Sequence, residues 1–333
     1  MSNGGAAEYA IDTRDLTRRY GRVLAVDHLN LQVPRGALFG FIGPNGAGKT
    51  TTLRILAGLL EPSTGEVWVN GQRLDRDWHA TRQMIGYMPD FFGVYNDMLV
   101  WEYLDFFARC YGMPAERRKT MVGELLELVN LTDKRDANVQ ALSRGMQQRL
   151  CLAHALVHDP QVLLLDEPAS GLDPRARVEM RELLKELTAM GKTVIVSSHI
   201  LAELAEMCTQ VGIIEKGKLA ACGSMADIRR QLQTNRILRV RMLAAEPQAL
   251  EFAHSALAAS SSESSSAAAG EPVVITDYSR PGTTLEVGLS GDDQAAVTLL
   301  AALVAGGAPI ADFYETSNTL EELFLQLTEP ENA

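Results

Sequence analysis

Four cysteines are spread over 333 residues, at Cys110, Cys151, Cys208 and Cys222. None forms a C-x-x-C pair, which argues against a disulfide framework or a zinc site and fits a reducing cytoplasm. Positive charge is also scarce: 31 Lys and Arg against 42 Asp and Glu give a net charge of −11. Such a chain lacks the broad basic footprint that phosphate-backbone binding needs, so nucleic acid is disfavoured as the main partner, and only a local basic patch stays open. Long apolar runs are missing. The longest charge-free stretch, 295–311, is rich in alanine and broken by Gly306-Gly307-Ala308-Pro309. A membrane span needs about 20 strongly apolar residues, so this stretch reads as a helix and its stop signal. Any membrane association is therefore expected through a partner. The opening MSNGGAAEYA has no basic segment leading into an apolar one, and no secretory signal is expected. No repeat of fixed period is found.

What is present describes a globular protein. Hydrophobic residues make up 46% and charged residues 22% of the chain, near the usual values for folded domains. At roughly 150 residues per domain, the length predicts two domains. Residues 1–8 read as a flexible tail, 9–230 as the first domain and 231–330 as a smaller second one. In the first, the run 37–42 is apolar throughout and ends in glycine, which reads as a buried strand. Glu66-Val67-Trp68-Val69 runs into Asn70-Gly71, a pair suited to a tight hairpin. The runs 162–165 and 193–196 are again continuously apolar, as expected of strands covered on both faces. Asp173-Pro174 supplies an N-cap and a first-turn proline for a helix over 175–190.

Nine of the chain's aromatics crowd between Tyr87 and Tyr111. Helical pattern continues beyond them, so a helical subdomain over about 91–150 is expected. Two readings of the aromatics stand: the subdomain's own core, or a protein-docking surface. Beyond 230 the order strand, helix, strand, strand, helix, strand predicts a ferredoxin-like βαββαβ module with a serine-rich loop over 259–270 and a last amphipathic helix over 320–327.

Gly43-Pro44-Asn45-Gly46-Ala47-Gly48-Lys49-Thr50 matches G-x-x-x-x-G-K-[ST]. In that pattern glycines let backbone N–H groups converge on phosphate oxygens, the lysine reaches the β- and γ-phosphates, and the hydroxyl of Thr50 binds Mg²⁺. A helix over 51–59, beginning at Thr51, adds the positive end of its dipole. Asp166-Glu167 ends the apolar run at 162–165. Carboxylates at the carboxyl end of a parallel strand lie where open α/β sheets bind ligands. Asp166 is then expected to hold Mg²⁺ through water, and Glu167 to polarise an attacking water; alone, the two acids read equally well as a loop. His199 follows the strand at 193–196 and falls at the same sheet edge, within reach of a γ-phosphate, although a lone histidine is more often structural.

Leu142-Ser143-Arg144-Gly145-Met146-Gln147-Gln148-Arg149 precedes the Asp166-Glu167 strand, and Ala169-Ser170-Gly171-Leu172-Asp173-Pro174 follows it. With the phosphate loop, this order resembles the nucleotide-binding subunit of ATP-binding cassette (ABC) transporters, from about Tyr9 to Gly223. The resemblance implies a P-loop NTPase cassette: a RecA-like α/β core with an antiparallel β subdomain and a helical subdomain, here followed by a small α+β domain. It implies ATP with Mg²⁺, and a head-to-tail pairing with a second nucleotide-binding subunit, as homodimer or heterodimer. In that pairing Ser143 and Gly145 contact the nucleotide of the opposite subunit, His199 is the switch histidine and Tyr20 stacks on adenine. For Tyr20 the other reading is an ordinary aromatic at a strand end.

Three positions depart from the family pattern. Arg144 and Met146 stand where Gly and Gln are usual, while Ser143 and Gly145 are kept. Asp90, in Tyr87-Met88-Pro89-Asp90, stands where Gln is usual; a carboxylate can approach Mg²⁺ but cannot donate a hydrogen bond. The signature at 142–146 and the closing Thr319-Leu320-Glu321-Glu322-Leu323-Phe324-Leu325 look like a bacterial two-component exporter subgroup. The expected function is thus an ATPase at the inner face of the membrane, driving separate transmembrane permease subunits and not acting on nucleic acid. The alternative is a soluble cassette ATPase acting on ribosomes or DNA. Against it stand the single phosphate loop, the absence of a long coiled-coil insertion and the acidic charge.

Overall fold

The structure, a computed structural model, describes residues 8–74, 83–90, 93, 97–232, 236–243, 274–277, 283–289 and 293–316. In chain order these contain β1 (Tyr9–Tyr20), β2 (Val23–Leu29), β3 (Gln32–Pro34), β4 (Leu38–Ile42), α1 (Lys49–Leu56), β5 (Thr64–Val69), β6 (Gln72–Arg73) and β7 (Ile85–Met88). Next come α2 (Val100–Cys110), α3 (Ala115–Leu128), α4 (Arg144–Leu156), β8 (Val162–Asp166), α5 (Pro174–Ala189), β9 (Thr193–Ser198) and α6 (Leu201–Ala205). Then follow β10 (Gln210–Glu215), β11 (Lys218–Ser224), α7 (Met225–Leu232), β12 (Arg236–Met242), β13 (Val274–Asp277), β14 (Thr283–Leu289), α8 (Asp293–Ala305) and β15 (Ile310–Thr316). The chain divides into two compact units, one running to Met225 and one over Ala226–Glu331.

The first unit is built on two sheets. Every residue of β4, β8 and β9 is buried, the apolar runs together with the polar residues that end β8 and β9. They occupy the centre of a six-stranded sheet in the order β11-β10-β4-β9-β8-β7. All its pairings are parallel except the hairpin of β10 with β11. The second sheet is antiparallel, in the order β2-β1-β5-β6, with β3 also paired to β1. One core joins the two: Leu53, Ile55 and Leu56 of α1 pack with Phe39, Phe41, Val162 and Leu164 of the parallel sheet and with Ile11, Val26 and Val67 of the antiparallel one. The expected hairpin at Asn70-Gly71 closes β5 onto β6, both residues having positive φ.

The helix after the phosphate loop begins at Lys49, two residues before the expected 51, and ends at Leu56. Lys49 and Thr50 therefore belong to its first turn. It stops early because Gly58 turns left-handed at φ 69°. The next helix boundary follows the sequence more closely. Asp173 caps α5, its Oδ1 accepting the Ala176 N–H at 2.9 Å, with Pro174 in the first turn.

The helical segment between β7 and β8 divides the aromatics. Tyr103 is fully buried, whereas Phe106 and Tyr111 are 40% and 44% exposed. Phe107 lies against the His154 ring at 3.8 Å, and Tyr111 stacks on His158 at 4.1 Å. Phe91, Phe92 and Tyr95 lie outside the described residues. Burial pushes the His154 imidazole down to about 4, so it is neutral at physiological pH.

The second unit holds an antiparallel sheet in the order β13-β14-β12-β15, with α8 between β14 and β15 in the chain. Leu238, Val240 and Met242 of β12 and Leu299 and Leu303 of α8 are buried. The tail at 1–7, the expected helix at 247–258, the serine-rich loop and the expected helix at 320–327 lie outside the described residues. Among the described residues no helix is long and apolar enough to cross a membrane.

Candidate functional site

The phosphate-loop sequence leaves the carboxyl end of β4 and enters α1. Gly48 is obligatory there. Its φ is +107°, and a Cβ would lie 2.3 Å from the Ala25 carbonyl oxygen. Ala47 is buried and fixes the turn: its N–H donates to the Pro44 carbonyl at 3.1 Å, and its own carbonyl accepts the Gly217 N–H at 2.9 Å. Lys49 is 6% exposed and folds back over the loop, its Nζ donating to the Gly43 carbonyl at 2.6 Å and to that of Pro44 at 3.3 Å. Burial pushes the Lys49 ammonium below its ordinary value, and the nearby Glu167 carboxylate draws it back up.

The two carboxylates at the end of β8 take different positions. Asp166 is fully buried. Its Oδ1 accepts the Ser197 hydroxyl at 2.6 Å, and its Oδ2 is buried with no partner among the described residues. An unpaired buried carboxylate oxygen is costly, and the donor set suits a divalent cation or its water shell. Glu167 turns the other way. Its φ of 52° is unusual for a residue with a side chain, and its N–H donates to Ser197 Oγ at 3.0 Å. The Glu167 carboxylate lies 3.5 Å from Lys49 Nζ and accepts from His199 Nδ1 at 2.9 and 3.1 Å.

These groups open on a cleft of about 450 Å³ lined by Pro44, Asn45, Gly46, Gly48, Lys49, Thr50, Thr51, Asp90, Glu167 and His199, with Ala25, Arg144 and Ser170. Backbone N–H groups at a helix start, an ammonium, a hydroxyl and an acid held by a histidine together suit an anionic phosphate chain and an in-line attack by water. The structure therefore brings most of the sequence-derived site together. Six of the sequence-derived residues do not line this cleft: Gly43, Ala47 and Asp166, described above, and Tyr20, Ser143 and Gly145. Tyr20 is 45% exposed at the end of β1, with the Arg18 guanidinium 4.7 Å over its ring. Ser143 caps α4, its hydroxyl accepting the Met146 N–H at 3.4 Å, and Gly145 packs on α5 beside Ala176.

Ser197 was missed by sequence reasoning. Its hydroxyl ties the Asp166 carboxylate and the Glu167 backbone N–H through one atom. The available signal was a polar pair, Ser197-Ser198, closing an otherwise apolar strand at the carboxyl edge of the sheet. Ala25 and Arg144 as cleft residues were missed as well, and no local pattern marks either.

Residues 26–170 match the family model described as "ABC transporter". The chain is 44% identical over 214 residues to "Nod factor export ATP-binding protein I" of Burkholderia orbicola (strain AU 1054), covering 64% of this chain and 70% of that protein. Among solved structures, "Structure of ATP binding subunit of ABC transporter" superposes with a TM-score of 0.61 at 31% identity, covering 67% of this chain and 93% of that one. The cbiO1 protein from Clostridium perfringens, described as part of the ABC transporter complex cbiONQ, superposes with a TM-score of 0.61 at 25% identity, covering 68% and 95%. The chain belongs to the ATP-binding subunits of ABC transporters, ATPases that work with transmembrane partners.

Proposed function

We propose that the chain binds ATP with Mg²⁺ in the cleft over the phosphate loop and hydrolyses it to drive an export complex. In this reading the loop 43–48 cradles the phosphates with its N–H groups, and Lys49 pairs with the β- and γ-phosphates. Thr50 and, through water, Asp166 hold Mg²⁺, with Asp90 beside them. The unpaired Asp166 Oδ2 supports that assignment. When bound, Mg²⁺ supplies positive charge that offsets charge developing on the phosphate oxygens. Glu167 orients and polarises the attacking water, and His199 fixes the Glu167 carboxylate and faces the terminal phosphate. The Glu167 carboxylate held between Lys49 and His199 carries the hydrolytic reading.

Ser143 and Gly145 do not line the cleft of their own chain, which supports their serving a second subunit's nucleotide in a head-to-tail dimer. ATP then closes the pair and hydrolysis reopens it. The likeness to a Nod factor export protein supports export as the direction and the inner membrane face as the place of work. Tyr20, exposed at the rim of β1, is assigned to adenine.

Glu167→Gln tests both halves. With ATP, this variant should lose steady-state turnover while persisting as a nucleotide-bound dimer, and should be recovered from native membranes with a membrane-spanning partner. Turnover at the parent rate would remove Glu167 as the base. Recovery with ribosomes alone would replace the transport role by that of a soluble cassette ATPase.

A further inference from the structure

Ser143 and the turn at 169–173 stand at the starts of two helices, α4 and α5. Ser143, Arg144, Gly171 and Asp173 are all exposed there. Beneath them the helices pack closely. A Cβ at Gly145 would lie 3.1 Å from Ala176 Cβ and 3.9 Å from Leu172 Cδ2. Farther along α4, the Arg149 side chain is 13% exposed, and its guanidinium meets two other helices. Nη1 donates to the Val129 carbonyl at 3.0 Å and to that of Asn130 at 3.3 Å. These carbonyls follow the end of α3, a helix with no basic residue in its last turn, and a cation there offsets the negative end of its dipole. Nη2 lies 3.8 Å from Glu179 Oε2 on α5. At that separation the contact is an ion pair and not a hydrogen bond. The other Glu179 oxygen accepts from Arg175 Nε at 3.2 Å.

One planar fork thus spans three helices. Its two arms diverge at a fixed angle, so α4 is set against α3 and α5 together; a lysine is a single point charge and lacks the fork. The carbonyl arm stays within the helical segment between β7 and β8. The Glu179 arm crosses to α5, whose start is fixed to the 169–173 turn by the Asp173 cap. Any slip of α4 along α5 is therefore a slip of Ser143 against that turn. A phosphate contact made from one chain to another tolerates little slip, because N–H···O bonds span only about 2.7–3.2 Å. We propose that Arg149 is a positioning residue for subunit pairing: through Glu179 it fixes the spacing between Ser143 and the 169–173 turn, so that both meet a second nucleotide-binding subunit as one surface. This rests on the head-to-tail pairing proposed above.

The test is ATP-dependent dimerisation of the full chain in the Glu167→Gln background, followed by sedimentation. Glu179→Gln removes the α5 arm and keeps the shape of the side chain. A partly exposed ion pair is worth about threefold in an equilibrium constant, and a symmetric dimer contains two, so the dimer dissociation constant should rise about tenfold. ATP affinity of the dilute monomer should stay within about twofold, and melting within about 2 °C. A merely structural role would move those two first. Losing one negative charge from each of two chains of net charge −11 would by itself favour association, so a weaker dimer reports the lost tie and not the altered charge. Arg149→Met should weaken the dimer at least as much, and adding Glu179→Gln to it should cost nothing more. Arg149→Lys should recover part of the loss. If Arg149→Met fails to fold, having also uncapped α3, Glu179→Gln decides alone. A Glu179→Gln dimer as tight as the parent's would overturn the proposal, as would a loss that only tracks melting or monomer affinity. If the Glu167→Gln parent forms no ATP-dependent dimer, the pairing itself falls, and the role of Arg149 with it.

Discussion

Removing one hydroxyl at Ser197 should disable the site without touching the phosphate loop. Ser197 and Asp166 are register partners in the parallel ladder of β9 and β8, and both are fully buried. The Ser197 hydroxyl donates to Asp166 Oδ1 at 2.6 Å and accepts the Glu167 N–H at 3.0 Å. In Ser197→Ala the Cβ remains and packing is conserved, so the loss is polar. Asp166, whose Oδ2 already has no partner, would lose its only acceptor contact within the described residues. An orphaned buried acceptor costs about 1–3 kcal/mol. The Glu167 N–H, nearer the cleft, can turn to water and costs less, about 1 kcal/mol. The sum is about 2–4 kcal/mol. For a unit of this size, that lowers the melting temperature by about 5–15 °C. The catalytic effect should be larger. Glu167 is held at φ 52°, a conformation costing roughly 1–2 kcal/mol for a residue with a Cβ, and the Ser197 bond is what retains it there. Once freed, its carboxylate shifts from the position set by Lys49 and His199, and displacement of a reacting group by about 1 Å can cost about 100-fold in rate. Steady-state ATP turnover should fall at least tenfold while ATP affinity, set by the loop, stays within about threefold. Melting within about 2 °C of the parent, with turnover preserved, would refute the claim that one hydroxyl holds both acids.

Two other perturbations follow from single positions. Gly48→Ala should abolish ATP binding, because the added Cβ would lie 2.3 Å from the Ala25 carbonyl oxygen at a φ of +107°; a titration giving parent affinity would show that the loop shifts freely. For His154, burial holds the folded-state value at about 4 against an ordinary 6.5. Its folded pKa is depressed, so its contribution is fully present above pH 6.5 and is lost as pH falls towards 4, by up to about 3 kcal/mol. Denaturant unfolding measured across that window should show the loss, His154→Gln should flatten it, and an equal slope in both proteins would contradict the assignment.

Much of the parallel sheet was legible because strands buried on both faces are written as unbroken apolar runs, as in β4, β8 and β9. The antiparallel sheet was less so. Its pairings carry register shifts between Leu16 and Arg18 and between Arg14 and Thr17, and each shift breaks the alternation that marks a half-buried strand. β10 hides for another reason: Gly212 interrupts its apolar residues, and its support comes from β4, far away in the chain. The same division runs through the site. Lys49, Asp166, Glu167 and His199 follow strand ends, and a strand end fixes a side chain's place by topology alone. Ser197 bonds Asp166, 31 positions away, and Arg144 lies against Gly171, 27 positions away, and only the fold brings these pairs together. Arg144 is the sharper case. As a sequence letter it is a departure from a glycine-containing motif in which Ser143 and Gly145 are kept. In the fold, the bare Gly171 leaves room for its guanidinium, and Arg144 lines the same cleft as Asp90, the other changed position. Two departures of opposite charge lining one cleft offset each other in its net charge, a compensation that neither position shows alone in the sequence.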